Sequence, residues 1–228
     1  MEKDVEAMKR RAAEAAVSLV KEGMVVGLGT GSTVAYAIAK LGQMARNGSD
    51  VRGVPTSIAT SNLAKKHGIV VTSLEECPKV DLTIDGADEV DPRLDLIKGM
   101  GGALFREKVV AAASKRVAIA VDESKLVRHL GSRVSVPVEV HPFGWKVTKA
   151  LLEALGAKAV LRSSDKTTYR TDNDNYILDC EFSLIRSPAK LEREINNVPG
   201  VIENGLFVGV AHIVFVGTPK GVRKIRAR

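Results

Sequence analysis

Cysteines and aromatic residues are scarce in this chain, and each scarcity excludes a class of protein. The 228 residues include two cysteines, Cys77 and Cys180, and neither lies in a CxxC or Cys/His spacing. The sequence therefore argues against a disulfide framework and against a structural zinc site. Aromatic residues make up 4% of the chain and seldom lie among the lysines and arginines. A base-stacking surface, and with it a nucleic-acid partner, is therefore not expected.

Long apolar runs are absent as well. No stretch approaches the roughly twenty consecutive apolar residues that a membrane span needs. The first residues, MEKDVEAMKRR, contain early acids and lack the apolar core of a signal peptide. We therefore expect a soluble, cytoplasmic protein without a membrane partner.

The composition is that of a folded protein that suits an anionic ligand. Apolar residues make up 45% of the chain, which is enough for a packed core. The net charge is +7, and a basic balance of this kind favours the binding of anions. The densest basic cluster, KGVRKIRAR at residues 220–228, is expected to be a solvated tail.

Up to about residue 130, segments with strand character alternate with segments of helical periodicity. Alternation of this kind implies a Rossmann-like, mostly parallel sheet with helices on both faces. The predicted strands are MVVGLG, VRGVPTS, IVVTSL, KVDLTI and RVAIAV, and the predicted helices are residues 3–22, STVAYAIAKLGQMAR, IATSNLAKKHG and GALFREKVVAAASK.

The pattern changes near residue 131. From there to residue 207 it is strand, helix, strand, strand, helix, strand, which fits a smaller ferredoxin-like α+β domain. The segment AHIVFVG is then expected to return to the first sheet. The sequence thus predicts an α/β protein with two domains, residues 1–130 with 208–228 and residues 131–207.

The segment GLGTGST, residues 27–33, lies between a predicted strand and a predicted helix. A glycine-rich turn at this place exposes backbone N–H groups to an anion. The spacing is neither GxGxxG nor a Walker loop, so a nucleotide is not expected. The segment therefore favours a phosphate cradle, with Thr33 among its hydroxyl donors, although a tight turn without a ligand would also need glycine.

The segment IDGADEVD, residues 84–91, places four carboxylates directly after a predicted strand. It does not match a calcium-binding EF-hand loop, but another metal remains an alternative. Asp85 and Asp88 are expected near the carboxyl end of the strand, where open α/β sheets bind ligands. There they could accept hydrogen bonds from sugar hydroxyls or transfer protons among them. Glu89 and Asp91 are expected in a solvated loop.

The segment IKGMGGALFREK, residues 97–108, combines a lysine, a glycine-rich turn and a helix with one charged triplet. Glu107 has apolar neighbours at helical spacing, and a carboxylate with limited solvation is a better general base near neutrality. Arg106 and Lys108 have apolar neighbours too, so periodicity alone does not choose among the three. A triplet of this kind is usually on the surface. Lys125, which follows the strand RVAIAV, is expected at the ligand edge, where either binding or solvation would explain it.

Four motifs, GLGTGST, IDGADEVD, IKGMGGALFREK and VDESKLVRHLG, occur in this order and together closely resemble ribose-5-phosphate isomerase, type A. The later segments TDNDNYILDCEF, NNVPGVIENGLF and VGTPKGV are similar to the same family, so the resemblance covers nearly the whole chain. It implies an enzyme that interconverts ribose 5-phosphate and ribulose 5-phosphate without a metal or another cofactor. It also implies a homodimer or homotetramer. The rivals to this reading are a non-catalytic phosphosugar sensor and a nicotinamide-dependent oxidoreductase.

The resemblance also implies roles for individual residues. Glu107 would move the proton between C1 and C2, Asp85 and Asp88 would assist ring opening and hold hydroxyls, and Lys98 would stabilise the enediolate oxyanion. Met100 departs from the family's usual unbroken glycine run, so its side chain must point away if the turn contacts substrate through its backbone. The residues expected to contact the substrate are Thr30, Gly31, Ser32, Thr33, Gly86, Ala87, Gly99, Met100, Gly101, Lys125 and Lys9.

Overall fold

The computed structural model describes residues 2–165 and 167–227, and within them the chain forms six α-helices. Ser57 caps the third by accepting a hydrogen bond from the Thr60 N–H at 3.0 Å. The first ends five residues earlier than its apolar pattern predicted, because the chain tightens into turns after it while Leu19 and Val20 still pack on the same core. The helices are α1 (Glu2–Val17), α2 (Ser32–Arg46), α3 (Ile58–Lys66), α4 (Leu104–Ala112), α5 (Trp145–Ala154) and α6 (Pro188–Asn196).

The same residues form sixteen strands, most of them short. They are β1 (Val25–Leu28), β2 (Arg52–Pro55), β3 (Val70–Val71), β4 (Leu82–Asp85), β5 (Glu89–Val90), β6 (Leu96–Ile97), β7 (Val117–Asp122), β8 (Val136–Val140), β9 (Lys158–Leu161), β10 (Ser163–Ser164), β11 (Thr167–Thr168), β12 (Tyr176–Glu181), β13 (Val201–Asn204), β14 (Leu206–Phe207), β15 (Ile213–Thr218) and β16 (Gly221–Arg226).

The chain folds into two compact units that are each built from more than one segment. The first contains the described residues up to Ala87, Arg106–Lys125 and the described residues from Gly209 onward. The second contains Asp88–Phe105 and Leu126–Val208. Residues 88–105, 126–130 and 208 therefore group with the second unit, whereas the domain limits predicted from the sequence assign them to the first.

The first unit contains a seven-stranded sheet in the order β16-β15-β7-β4-β1-β2-β3. Six of these strands are parallel, and β16 is antiparallel to β15 along its whole length. The prediction of a mostly parallel sheet is thus confirmed, and AHIVFVG does return to this sheet as β15. The charged side chains of the basic tail, up to Arg226, face solvent, as expected, but its backbone does not. Residues 221–226 form an edge strand that pairs with β15. The last residue of that predicted tail, Arg228, lies outside the described part of the chain.

Helices cover both faces of this sheet, as predicted. Apolar side chains of α1, α2 and α3 share one core with β1, β4, β7 and β15. On the other face, Val110 of α4 packs with Val25, Val54 and Val80. The contact between α4 and β1 is so close that a Cβ on Gly27 would overlap the Val110 side chain. Glycine at this position therefore sets how near the helix lies to the strand.

The second unit contains a four-stranded antiparallel sheet in the order β13-β8-β12-β9. Its strands and helices follow one another as β8, α5, β9, β12, α6, β13, which confirms the ferredoxin-like prediction. Side chains of α5 and α6 pack with Val136, Val138 and Val140 of β8 in one core. Because side chains alternate along a strand, Pro137 and Glu139 lie on the opposite face. A separate three-stranded sheet has the order β14-β6-β5.

Two segments of the second unit differ in detail from the predicted strands. The segment VIENGLF is divided into β13 and β14 at Gly205, where a Cβ would overlap the carbonyl oxygen of Lys98. In TYRTDNDNYILDCEF the turn forms at residues 171–175, but the strand before it is the short β11, which pairs with β10. No helix among residues 2–165 and 167–227 is both long enough and apolar enough to cross a membrane.

Candidate active site

In the first unit, two of the predicted motifs flank the point where the strand order reverses. The chain runs from β1 through β2 to β3 on one side of β1 and then places β4 on the other side. Segments that follow neighbouring parallel strands leave the same edge of the sheet, and ligands of open α/β sheets bind at such a reversal. The loop after β1, residues 29–33, and the segment after β4, residues 86–87, therefore lie side by side.

Asp85 is the last residue of β4, and its side chain is buried at this edge. Its Oδ1 accepts a hydrogen bond from the Gly86 N–H at 2.7 Å. A Cβ on Gly29 would overlap the Asp85 carboxylate, so only glycine at that position leaves the carboxylate where it is. The structure thus brings the glycine loop and Asp85 together, with Gly86 and Ala87 following at half-buried positions.

The loop after β1 combines a fixed hydroxyl with an exposed helix start. Thr30 Oγ1 lies 2.8 Å from Thr56 Oγ1, 3.0 Å from Ser57 Oγ and 3.1 Å from Thr60 Oγ1. Gly31 and Ser32 are exposed at the start of α2, and Thr33 is half-buried. Gly31 has no side chain with which to cap α2, so the N–H groups of the first turn remain oriented toward an incoming anion.

The cluster of hydroxyl side chains that hydrogen-bonds to Thr30 was not recognised from the sequence. Its members, Thr56, Ser57 and Thr60, follow β2 in the segment TSIAT. The signal was present, because β2 is parallel to β1 and its carboxyl end shares the same edge. Three hydroxyl residues after the second strand of a predicted parallel sheet indicate a polar lining for that edge.

Glu107 belongs to α4, which runs antiparallel to the neighbouring strands. Residues after the end of α4 bond to the start of β4, since the Ala113 carbonyl accepts the Val80 N–H at 3.0 Å. Val110 packs at Gly27 of β1, and Glu107 is one turn nearer the carboxyl edge. Its side chain is only 3% exposed, whereas Arg106 and Lys108 are partly exposed. Burial thus selects Glu107 from a triplet in which periodicity could not choose.

The two lysines predicted at this site lie at the same edge of the first sheet. Lys125 ends the short 3-10 helix Glu123–Lys125, directly after β7, and is half-buried. That turn is fixed by the buried Asp122, whose Oδ1 accepts the Ser124 N–H at 2.9 Å. Lys9 belongs to α1, next to Met8. The Met8 carbonyl lies so close to Gly217, near the carboxyl end of β15, that a Cβ on Gly217 would overlap it. This contact places Lys9 at that end of the sheet.

The Lys9 ammonium forms an ion pair with a carboxylate on its own helix. Lys9 Nζ lies 2.7 Å from Glu6 Oε1, and Glu6 Oε2 accepts the Tyr36 hydroxyl at 2.7 Å. The hydrogen bonds from Lys9 and from Tyr36 lower the pKa of Glu6 below its ordinary value. Lys9 is therefore oriented by a charged partner rather than extended into solvent.

In the second unit, Lys98 is a buried cation that follows β6. Its side chain is 3% exposed, and its Nζ lies 5.4 Å above the centre of the Phe207 ring. Its backbone N–H donates to the Gly205 carbonyl at 2.9 Å. A buried ammonium held over an aromatic face has lost most of its hydration, so its field acts on nearby groups with little screening.

The glycine-rich turn after Lys98 has the backbone conformation that its sequence suggests. Gly99 has φ 103° and Gly102 has φ 77°, values that favour glycine. The Met100 N–H donates to Asp88 Oδ2 at 3.1 Å, so the turn and Asp88 hold each other. The Met100 side chain is 47% exposed. Gly101 is also exposed, and Gly99 is buried.

The prediction that Glu89 and Asp91 belong to a solvated loop is wrong. Both side chains are buried, and Glu89 is completely inaccessible. Glu89 accepts hydrogen bonds from the backbone N–H groups of Gly131, Arg133 and Val134. Asp91 Oδ1 accepts the N–H groups of two later residues in its own loop, at 2.8 and 2.9 Å. These two acids satisfy backbone donors, which a charge pattern in the sequence does not reveal.

Across the part of the chain that the structure describes, no group of three or more His, Cys, Asp or Glu side chains is arranged to hold a metal ion. What the first unit offers is a buried carboxylate in a helix, a second at a strand end and a loop suited to an anion. The second unit offers a buried ammonium next to a glycine-rich turn.

Residues 52–221 match the family model of ribose 5-phosphate isomerase A (phosphoriboisomerase A). The chain belongs to this family. Its relatives include the ribose-5-phosphate isomerase A of Gloeobacter violaceus, 53% identical over 96% of both chains. That of Thermococcus kodakarensis is 47% identical over 97% of this chain and 99% of the relative. The resemblance that four ordered motifs indicated is therefore confirmed.

Solved structures of this family share the fold. A D-ribose-5-phosphate isomerase in complex with phospho-erythronic acid has a TM-score of 0.95 and 46% identity, covering 97% of this chain and 99% of that one. The ribose 5-phosphate isomerase A of Methanocaldococcus jannaschii has a TM-score of 0.93 and 44% identity at the same coverage. Similarity of this extent spans both compact units.

Proposed function

We propose that this protein is an aldose–ketose isomerase that interconverts D-ribose 5-phosphate and D-ribulose 5-phosphate in the non-oxidative pentose phosphate branch. The observation that carries the proposal is membership of the ribose 5-phosphate isomerase A family over almost the entire chain. A phosphorylated sugar as ligand is supported by the relative whose structure contains phospho-erythronic acid.

Glu107 is the proposed base. In the open-chain aldose, the hydrogen on C2 is acidic because it lies beside the C1 carbonyl. The Glu107 carboxylate takes this proton, the C–H electron pair forms the C1–C2 double bond, and the C1 oxygen becomes an anion. Return of that proton to C1, with transfer of the O2 proton to the C1 oxygen, turns the C2–O bond into a carbonyl and gives the ketose. Burial of Glu107 at the carboxyl edge of the sheet supports this role, since a poorly hydrated carboxylate is a stronger base.

Lys98 is the proposed stabiliser of the enediolate oxygen. A protonated amine at this place would supply positive charge without a metal, and Phe207 and Gly205 restrict where it lies. One electrostatic contact of this kind is worth about 3 kcal/mol in other enzymes, because it strengthens as the anion develops.

Asp85 and Asp88 are proposed to assist ring opening and to hold substrate hydroxyls. Opening the ring needs a proton to leave O1 and another to reach the ring oxygen, which a carboxylate and its conjugate acid can provide. Asp85 is supported by its fixed place at the end of β4, and Asp88 by its hydrogen bond from Met100. The backbone of residues 86–87 and 99–101 is proposed to contact the sugar.

The phosphate is proposed to bind at the loop after β1. The support is the exposed start of α2 together with the hydroxyls of Thr30, Ser32 and Thr33 beside Gly31. Lys125 and Lys9 are proposed to add positive charge at the same edge. Phosphate binding then provides remote binding energy that positions the reacting carbons.

The decisive experiment measures ribulose 5-phosphate formation from ribose 5-phosphate in EDTA. Glu107→Gln should reduce kcat by about 100- to 10,000-fold, the usual contribution of general base catalysis. Glu14→Gln is the matched control, because it makes the same change at an exposed carboxylate on α1, and its kcat should equal that of wild type. Equal rates for wild type and Glu107→Gln would reject Glu107 as the base. A wild-type protein that binds the sugar phosphate without turnover would favour the alternative, a non-catalytic phosphosugar sensor.

The proposal extends to the setting of the reaction. The enzyme is proposed to work in the cytoplasm, without a cofactor, as a homodimer or homotetramer. Light scattering on the purified protein across a concentration series tests the assembly, and a mass that stays that of one chain would reject it.

A further inference from the structure

One arginine of the second unit bonds directly to the turn that follows Lys98. Arg162 lies between β9 and β10, and its backbone N–H donates to the Ile177 carbonyl at 2.9 Å. Its Nη1 donates to the carbonyl oxygens of Gly99 at 3.0 Å and Met100 at 3.1 Å. No sequence motif indicated this link, because more than sixty residues separate Arg162 from the turn.

The guanidinium is held in a fixed orientation by Asp179 of β12. Arg162 Nε donates to Asp179 Oδ2 at 2.9 Å, and Nη2 donates to Oδ1 at 2.5 Å. A two-point pair of this kind fixes the plane of the guanidinium as well as its position. The remaining nitrogen, Nη1, is then aimed at the turn. The Arg162 side chain is only 12% exposed, so water competes little for these bonds.

Apart from a hydrogen bond from the Gly102 N–H to the Gly99 carbonyl at 3.0 Å, the turn has little of its own that holds it in place. Three of residues 99–102 are glycines, which have no side chains that could hold the backbone. Tyr169 supports the same turn, since its hydroxyl lies 3.4 Å from the Gly101 carbonyl and occupies the space that a Cβ on Gly102 would need. The Arg162 guanidinium carbon lies 5.7 Å from the centre of the Tyr169 ring, so arginine, tyrosine and turn form one packed group.

Movement of this turn would displace two of the groups that the proposed function uses. Lys98 directly precedes the turn, and Asp88 accepts its hydrogen bond from Met100 within it. We propose that Arg162, fixed by Asp179, is a positioning residue for the isomerisation and acts by keeping Lys98 and Asp88 in their reactive places. This inference rests on the proposed function of the same site.

Arg162→Lys is the main test, because it keeps the positive charge. A single ammonium cannot bond to both carboxylate oxygens and to two carbonyls at once, so kcat should fall by about 10- to 100-fold, the cost of small misplacements in active sites. KM should rise by a smaller factor than kcat falls, because the proposed sugar contacts of the turn loosen while the phosphate-binding loop after β1 lies in the other unit and is untouched. Asp179→Asn should act in the same direction, because it weakens the bonds that orient the guanidinium.

Arg170→Ala is the matched control. Arg170 is in the same unit and also combines a carboxylate with an aromatic ring, Asp174 at 2.7 Å and Tyr176 at 5.0 Å from the ring centre. Its side chain donates hydrogen bonds to Asp174 and Tyr176, which lie outside the glycine-rich turn. It should therefore retain wild-type kcat.

A double-mutant cycle with Lys98→Ala separates positioning from a general loss of structure. Because Arg162 is proposed to act through both Lys98 and Asp88, Arg162→Lys should lower kcat by a clearly smaller factor when Lys98 is already absent. An equal effect of Arg162→Lys in both backgrounds would overturn the inference, as would an Arg162→Lys variant that equals wild type and Arg170→Ala. A wild-type chain that does not convert ribose 5-phosphate would instead overturn the proposed function, and this inference with it.

Discussion

Replacing Glu89 by glutamine tests whether an acid of the IDGADEVD motif is structural rather than chemical. The Glu89 carboxylate is completely buried and accepts three backbone N–H groups, from Gly131 at 2.6 Å, Arg133 at 2.6 Å and Val134 at 3.2 Å. We expect Glu89→Gln to destabilise the second unit, in which all of these residues lie.

The expected magnitude follows from the donors that the amide cannot satisfy. The carbonyl oxygen of glutamine can still accept from Arg133 and Val134, but its NH2 group then faces the Gly131 N–H, donor against donor. One charge-assisted hydrogen bond is lost and one buried N–H remains without an acceptor, which together cost about 2–4 kcal/mol. In the opposite orientation of the amide, the hydrogen bonds from both Arg133 and Val134 would be lost. The range of about 2–4 kcal/mol is therefore the smaller of the two possible losses of stability.

Urea unfolding followed by the fluorescence of Trp145, the single tryptophan, measures this cost in the relevant unit. With an m-value of about 1–3 kcal/mol per molar, the midpoint should fall by about 0.7 M or more. Glu181→Gln is the control, because this exposed carboxylate lies on β12 in the same unit. It should leave the midpoint within the error of wild type.

A loss below about 0.5 kcal/mol for Glu89→Gln, similar to an ordinary surface substitution, would refute the reasoning. It would mean that the three N–H groups find other acceptors or that water reaches them. A folded Glu89→Gln protein with normal stability and greatly reduced turnover would contradict it in another way, because Glu89 would then belong to the reaction.

Two further predictions concern buried groups elsewhere in the chain. Burial raises the pKa of Cys180 to about 12, so the unfolded chain loses this proton first and stability should fall as pH rises from about 9 toward 12, by up to about 1.4 kcal/mol per pH unit. The pH dependence of the unfolding free energy should therefore be shallower in Cys180→Ala, and equal slopes would contradict the assignment. Gly29→Ala should displace the Asp85 carboxylate and reduce turnover by about 100-fold with little change in circular dichroism, whereas normal turnover would show that Asp85 need not stay in place.

The fold was predictable because its signals are local. Continuous apolar runs and helical periods indicate buried strands and amphipathic helices wherever the chain continues. The place of the glycine loop after β1 follows from the same reasoning, since the carboxyl edge of a parallel sheet is known once its strands are. The edge strand β16 was missed because its many charged residues resemble those of a solvated tail, whereas its backbone pairs with β15.

The candidate site was less predictable because its decisive contacts are remote in sequence. Glu107 differs from Arg106 and Lys108 only in which side chain the sheet covers, and no local pattern encodes that. Glu89 is buried because N–H groups more than forty residues later point at it. The link from Arg162 to the glycine-rich turn likewise depends on the register of β9 and β12, which the sequence leaves open.

The place of β15 in the sheet has a consequence for how the protein is made. β7 lies between β4 and β15, yet β15 is synthesised roughly 100 residues after it. At the usual translation rate, β7 emerges about 5–20 s before its second neighbour exists. During that interval one side of β7, a strand whose six residues are all buried in the finished protein, is an unpaired apolar edge. The nascent chain is therefore exposed to misassociation along this edge while the ferredoxin-like unit is still being translated.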